Sequence, residues 1–294
     1  MKKNVSISVF VFMVFVLCSF ITPSSNGQVA MKLLMSRKNY LQYEPIYAKI
    51  VMRNDSGRPL AFGHNQKLRG KLLFEITRHD GTVARRISKT SPSVIGTLLR
   101  PGEVKEFVVP VSDFYDLNDL GRYRIVAYVS HASMKKQYQS NEHGFSVKPG
   151  VLLWSRTVGV PSYVAGDHQA KKIKTVSYKI KSLHDGRRKI IYMCVEDDKV
   201  IYSVKKIGYE MADTMPACET ASFSRLHLLL RSTPKVYGYF VYNLKGTLEQ
   251  RAVYKTTNTI PVLVHSDKTG TVIVAGGTKA TKDVDYKSGT DKPF

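Results

Sequence analysis

Lys171, Lys172, Lys174, Lys179, Lys181, Arg187, Arg188 and Lys189 fall within nineteen residues that carry one acid, Asp185. Arginine forks pair bidentately with phosphate, sulfate or carboxylate, and lysines add point charge, so the chemistry open to such a run is anion capture. If Lys172 and Lys174 share a strand face with Val176 and Tyr178, a charged and aromatic strip results. Arg187 and Arg188 then add contacts from the following turn. The candidate anion site is therefore Lys171, Lys172, Lys174, Arg187, Arg188 and Lys189. Lysines also line strand edges simply to discourage aggregation.

Tyr237 and Tyr239 are spaced to share a strand face, with Tyr242 and Tyr254 close in sequence. Exposed, they would form a sugar-stacking platform; buried, they would pack against strand neighbours. Reactive chemistry has less support. The eight histidines are scattered, and the pairs Asp167-His168 and His184-Asp185 would point to opposite faces of a strand. No H-E-x-x-H, G-x-S-x-G, Walker loop or dinucleotide fingerprint occurs, and Gly276-Gly277 precedes no helix. Glu196, Asp197 and Asp198 lack the ligand spacing and turn glycine of a calcium loop, and read as a solvated hairpin tip. No catalytic residue, metal ligand or cofactor is assigned, although catalytic groups can converge from distant positions.

The N-terminus predicts export. Lys2 and Lys3 precede an apolar run over 5–21, interrupted only by Ser6, Ser8 and Ser19, and Pro23 to Gly27 form a small polar region. That order is a Sec-type signal peptide over residues 1–27, placing the mature chain outside the cytoplasm, secreted or periplasmic. Cleavage is expected after Gly27, with Ala30 as the second choice. The apolar run falls short of the ~20 residues of a comfortable span, so membrane attachment is expected only if the segment stays uncleaved. Leu17 before Cys18 is too bulky for a lipoprotein signal. In an oxidising compartment the two remaining cysteines, Cys194 and Cys218, are expected to form a disulfide. The alternative is two separate buried thiols.

The formal charge of +22 falls to +20 once Lys2 and Lys3 are removed, and divides about equally between residues 28–149 and 150–294. A basic balance spread over both halves favours polyanionic surroundings, here an acidic polysaccharide or envelope polymer. A partner protein is the other expectation, and nucleic acid is not expected.

The elements that must position these groups are strands. Arg100 to Ser130 holds two strand runs, Val104 to Val111 and Tyr123 to Val129, around a turn rich in Asp, Asn and Gly. Upstream, Ile46, Ala48, Ile50 and Met52 alternate with Tyr47, Lys49, Val51 and Arg53 between Glu44-Pro45 and Asn54-Asp55-Ser56-Gly57. Leu72 to Arg78 and Val83 to Ile87 flank Asp80-Gly81 as a short hairpin, and Gln137 to Lys148 makes a last strand. This pattern over residues 30–148 resembles bacterial extracytoplasmic immunoglobulin-like modules, of fibronectin type or proteinase-inhibitor-like. The resemblance implies a two-sheet antiparallel sandwich, with Tyr123 as the structural corner tyrosine whose hydroxyl bonds to backbone upstream. The inter-sheet disulfide and core tryptophan of antibody domains are missing, the one tryptophan being Trp154.

Pro149-Gly150 marks a boundary. Over 151–275 hairpin pairs recur: 189–195 with 199–207, 226–231 with 236–242 and 247–254, and 260–264 with 271–274. They predict a second antiparallel domain, a meander of hairpins, whose family the sequence leaves unrecognised. Residues 276–294, rich in Gly, Lys, Thr and Asp, are expected to be disordered. The whole reads as all-β. The expected function is non-catalytic binding or structural support at the cell envelope; the alternative is an inhibitor or accessory module of a secreted hydrolase.

Overall fold

The computed structural model describes residues 28–134, 136–160, 174–186, 188–211, 214–266 and 269–287. Residues 1–27, where a leader is expected, Lys171, Lys172, Arg187 and residues 288–294 lie outside these. Among the described residues, twenty-one strands and two short 3-10 turns account for the regular structure.

The first half contributes β1 (Val29–Met35), β2 (Asn39–Leu41), β3 (Tyr47–Asn54), β4 (Leu60–Ala61), β5 (Gly70–Arg78), β6 (Leu98–Leu99), β7 (Val104–Pro110), β8 (Gly121–His131), β9 (Tyr138–Gln139) and β10 (His143–Lys148). One sheet runs β1-β3-β7, another β2-β10-β8-β5 with β9 added to β8. Both bury alternate residues in a single core, among them Leu33, Ile50 and Met52 from one sheet and Leu72, Ile76, Ile125 and Val129 from the other. Period two thus gives two sheets sharing one apolar layer, each fully buried aliphatic side chain contributing ~1.5–3 kcal/mol.

Side chains stitch these sheets together. The Asn141 carboxamide accepts from the Leu33 N–H at 2.9 Å and donates to its carbonyl at 3.2 Å. The Tyr123 hydroxyl donates to the Asp119 carbonyl at 2.7 Å, and its ring stacks on Phe145. Two expectations are corrected here. The chain leaving β1 crosses to the other sheet, so β2 reaches β10 running parallel to it. Val83 to Ile87 form no strand; only Val83 and Arg86 make single bridges, to Thr77 and Tyr115.

The second half contains β11 (Val151–Gly159), β12 (Thr175–His184), β13 (Lys189–Glu196), β14 (Ile201–Tyr209), β15 (Ala217–Thr220), β16 (Leu226–Thr233), β17 (Val236–Tyr242), β18 (Leu248–Lys255), β19 (Val262–Ser266), β20 (Thr271–Ala275) and β21 (Thr278–Lys279). One antiparallel sheet runs β11-β12-β13-β14 and a second β15-β16-β17-β18-β21, with β19-β20 a separate hairpin. β13 and β17 are apolar without alternation because both their faces are covered. In β13, Ile191, Met193 and Val195 face the second sheet, while Ile190, Tyr192 and Cys194 pack with Leu41 of the first half. In β17, Phe240 and Tyr242 join the inter-sheet core, while Tyr237, Tyr239 and Val241 lie under the β19-β20 hairpin.

The same layering separates the cysteines. Cys194 lies on the β13 face turned to the first half, whereas Cys218 packs into the core on the other side of that sheet. No disulfide joins them: both are free thiols, and burial raises them to about 11 and about 12 respectively. The expected bridge is excluded by the sheet standing between them.

The described tail residues are also ordered. Positive φ at Gly276 and Gly277 turns the chain back, β21 pairs with β18, and Asp285 pairs with Lys255 at 2.9 Å. A polar segment needs no core of its own when it can borrow an existing sheet edge.

Gly150 couples the halves. A side chain there would collide with Leu41 Cδ1 at 2.6 Å, so the boundary is a tight docking point. Beside it, half-buried Arg37 donates to both Glu44 and the Tyr192 hydroxyl across the junction. Burial raises the Tyr192 pKa, and Glu44 adds to that.

Candidate anion-binding groove

In β8 the alternation that buries Tyr123 and Ile125 turns Arg122 and Arg124 outward. The register puts Ser146 beside Arg122, with Asn39 on its other side, and Gly144 beside Arg124. His79 follows β5 and donates its N–H to the Arg122 carbonyl at 2.9 Å. With Lys38, these residues line an open groove of ≈ 640 Å³. Gly144 leaves its floor bare, since a Cβ there would meet only the Tyr123 carbonyl oxygen at 3.9 Å.

Lys38, His79, Arg122 and Arg124 line this groove, and no carboxylate does. Acids at the rim are already engaged. Glu142 lies 3.6 Å from Arg124, and Asp119 and Asp80 lie 3.1 and 3.8 Å from Arg78 at the His79 end. Ser146 and Asn39 supply neutral hydrogen-bonding groups between the cations. The arrangement can hold an anion flanked by hydroxyls, through charge-assisted hydrogen bonds.

Of the residues singled out from sequence, Lys171, Lys172 and Arg187 lie outside the described residues, and Lys174 stands at the opposite end of β12 from Arg188 and Lys189. Lys174 is exposed just ahead of β12, but Val176 and Tyr178 point into the core. The Tyr178 hydroxyl donates to the Ser224 carbonyl at 2.9 Å, and burial raises its pKa. Lys174 therefore shares no exposed strip with Val176 and Tyr178. Arg188 lies over the Tyr209 ring, and Lys189 pairs with Glu210 at 3.3 Å. Tyr237 and Tyr239 are covered by the hairpin, so they form no sugar-stacking platform.

Arg122 and Arg124 carried one local signal, a charged-apolar alternation that also fits any solvated strand face. What joins them to Lys38 and His79 is sheet register between segments far apart in sequence.

Among the described residues no group of three or more His, Cys, Asp or Glu side chains is placed to hold a metal. His131 accepts from the Ser133 backbone N–H at 3.1 Å and lies 2.8 Å from its hydroxyl, while its other nitrogen reaches the Ala61 carbonyl. That geometry caps a turn. Among the described residues no helix is long and apolar enough to cross a membrane. No family model matches the chain, and no curated protein matches it.

Proposed function

We propose that this chain is an exported, non-catalytic binding protein of the cell envelope or extracellular space, holding an acidic polymer in the Arg122 groove. The observation that carries this reading is a groove lined by three Lys and Arg side chains and a histidine with no acid among them. The net charge of +22, or +20 once Lys2 and Lys3 are removed, supplies long-range attraction for such a ligand. An immunoglobulin-like sandwich is the proposed form of the first half. Its support is the pair of sheets around one core and the Tyr123 hydroxyl folded back on Asp119.

Calorimetric titration with a heparin-derived disaccharide at low and high salt tests the reading. Binding should weaken with salt, and R122S/R124S should lose about tenfold in affinity, as expected for two solvent-exposed ionic contacts. No binding at low salt refutes it.

A second reading, an inhibitor of a secreted hydrolase, has one observation in its favour. Phe223, 67% exposed, sits beside Ser224 with both residues at positive φ. Tyr178 holds the Ser224 carbonyl, and the Ser224 hydroxyl donates to the Gly159 carbonyl at 2.9 Å. Two such conformers cost ~1–3 kcal/mol each unless their surroundings fix them, and a rigid exposed loop is what an inhibitor presents. A panel of secreted proteases showing no inhibition removes this second reading.

A further inference from the structure

We infer that the groove is one end of a longer track, and that its ligand is an extended acidic glycan crossing the junction between the halves. This rests on the groove reading above. Three observations carry the extension.

The first is continuity. Asn39, which lines the groove, donates its side-chain amide to the carbonyl of His184 at 3.0 Å. His184 ends β12, so the β12-β13 turn bearing Arg188 abuts the groove. The next residue but one upstream, Arg37, bonds to Tyr192, and Tyr192 stands opposite Lys206 in the β13-β14 register. Lys206 therefore belongs to the sheet face that meets the first half.

The second is further positive charge beyond the junction. The Arg188 guanidinium and the Lys206 ammonium lie 5.5 and 4.3 Å from the centre of the same ring, that of Tyr209. Lys206 also donates to the Tyr209 hydroxyl at 3.1 Å. Two cations gathered at one ring place two positive charges beyond the junction, and an anionic group reaching either gains charge-assisted contacts. At the opposite end the acids around Arg78 close the groove. The favourable direction for a polyanion thus runs from Arg122 toward Arg188.

The third is a fixed spacing. Leu41 packed against β13, the Arg37–Glu44–Tyr192 network and Gly150 hold the halves in one relative position. Two strand steps of ~4.8 Å separate Arg122 from Asn39, and the turn adds a similar distance, giving a track on the order of 20 Å. A single sugar does not span that. Asn39 and Ser146 interpose neutral hydrogen-bonding groups between cations, which suits a chain whose charges alternate with hydroxyls. A polyphosphate chain offers no such hydroxyls.

The experiment measures affinity for heparin-derived di-, tetra-, hexa- and octasaccharides, and for inorganic polyphosphate of matched charge, at low salt. It compares the full mature chain with R122S/R124S and R188S/K206S. All four substituted side chains are exposed, and circular dichroism verifies that both variants keep the strand signature. The expected result is about a tenfold gain from di- to octasaccharide, because the second contact region acts at high effective concentration. R188S/K206S should abolish that gain while leaving disaccharide affinity unchanged, and should lower the salt slope by about two.

Disaccharide binding with no gain on lengthening, or a gain that survives R188S/K206S, overturns the track and leaves the groove standing. No binding of any oligosaccharide refutes the groove and the track together. Polyphosphate bound as tightly, with the same response to both variants, overturns the assignment to a glycan.

Discussion

In the first half, β8 sends every second residue into one core and leaves Arg122 and Arg124 on a bare sheet face. In the second half, β13 and β17 have no bare face, being packed on both sides. A sheet covered once can spend its outer face on recognition. A sheet covered twice has spent both faces on stability, and its polar chemistry is pushed to turns and edges. This is why the described members of the densest basic run make scattered contacts, while four basic residues from three separate segments share a groove.

The largest effect that tests this contrast is truncation of a tyrosine in each setting. Tyr239→Ala empties a site under the β19-β20 hairpin and should cost about 3–5 kcal/mol. Tyr128→Ala, on the outer face of β8 with a hydrogen bond to Glu75, should cost less than ~1 kcal/mol. Urea denaturation of both variants provides the comparison. Equal losses would mean that the first half also hides its outer face.

The next effect concerns the junction. Glu44 has 4% side-chain exposure; it accepts from Arg37 and, at 2.9 Å, from the Leu41 N–H. Glu44→Ala strands a half-buried guanidinium and should cost about 3 kcal/mol. Trp154, the single tryptophan, reports on the second half alone. Its fluorescence and the far-UV signal should unfold together in the wild type and separate in the variant. Coincident transitions in Glu44→Ala would show that this network does not couple the halves.

A smaller effect is confined to the hairpin-covered face. Buried His227 lies 2.6 Å from the Tyr239 hydroxyl, and burial, with Arg225 second, lowers its pKa below 6.5. The folded state thus favours neutral imidazole, while the unfolded chain takes up a proton first. Stability is full above the unfolded value near 6.5 and declines as pH falls through it toward the lowered folded value. His227→Gln should flatten that part of the profile, read from unfolding midpoints between pH 7.5 and 5. An unchanged slope would place the acid sensitivity elsewhere.

The smallest effect expected is none. Reduction should leave the unfolding midpoint unmoved, since Cys194 and Cys218 stand on opposite sides of a sheet. A bridge closing that loop would be worth about 3 kcal/mol by chain entropy. Thiol titration should find both groups free in denaturant and slow to react in the native protein, their pKa values held at about 11 and about 12.

Legibility followed the same division. Ile46 to Arg53 alternate so cleanly that strand, inward face and closing turn were all readable, because one covered face imposes period two. The Tyr237–Tyr239 spacing also gave the correct common face, yet whether that face was open or covered was set by a hairpin beginning at Val262. Val83 to Ile87 look strand-like locally but found only isolated bridges. Cys194 and Cys218 are close in sequence, and their separation depends on which neighbours of β13 point which way.

Residue order alone therefore determined that the chain is built of strands, where most of them lie, and that both halves are strongly basic. These are properties of local periodicity and summed charge, which need no partner segment. Tertiary structure alone decided which cations meet, which tyrosines are covered and which cysteines are kept apart. Those outcomes depend on sheet register and layer order, where shifting one residue exchanges the two faces and distant segments supply the contacts.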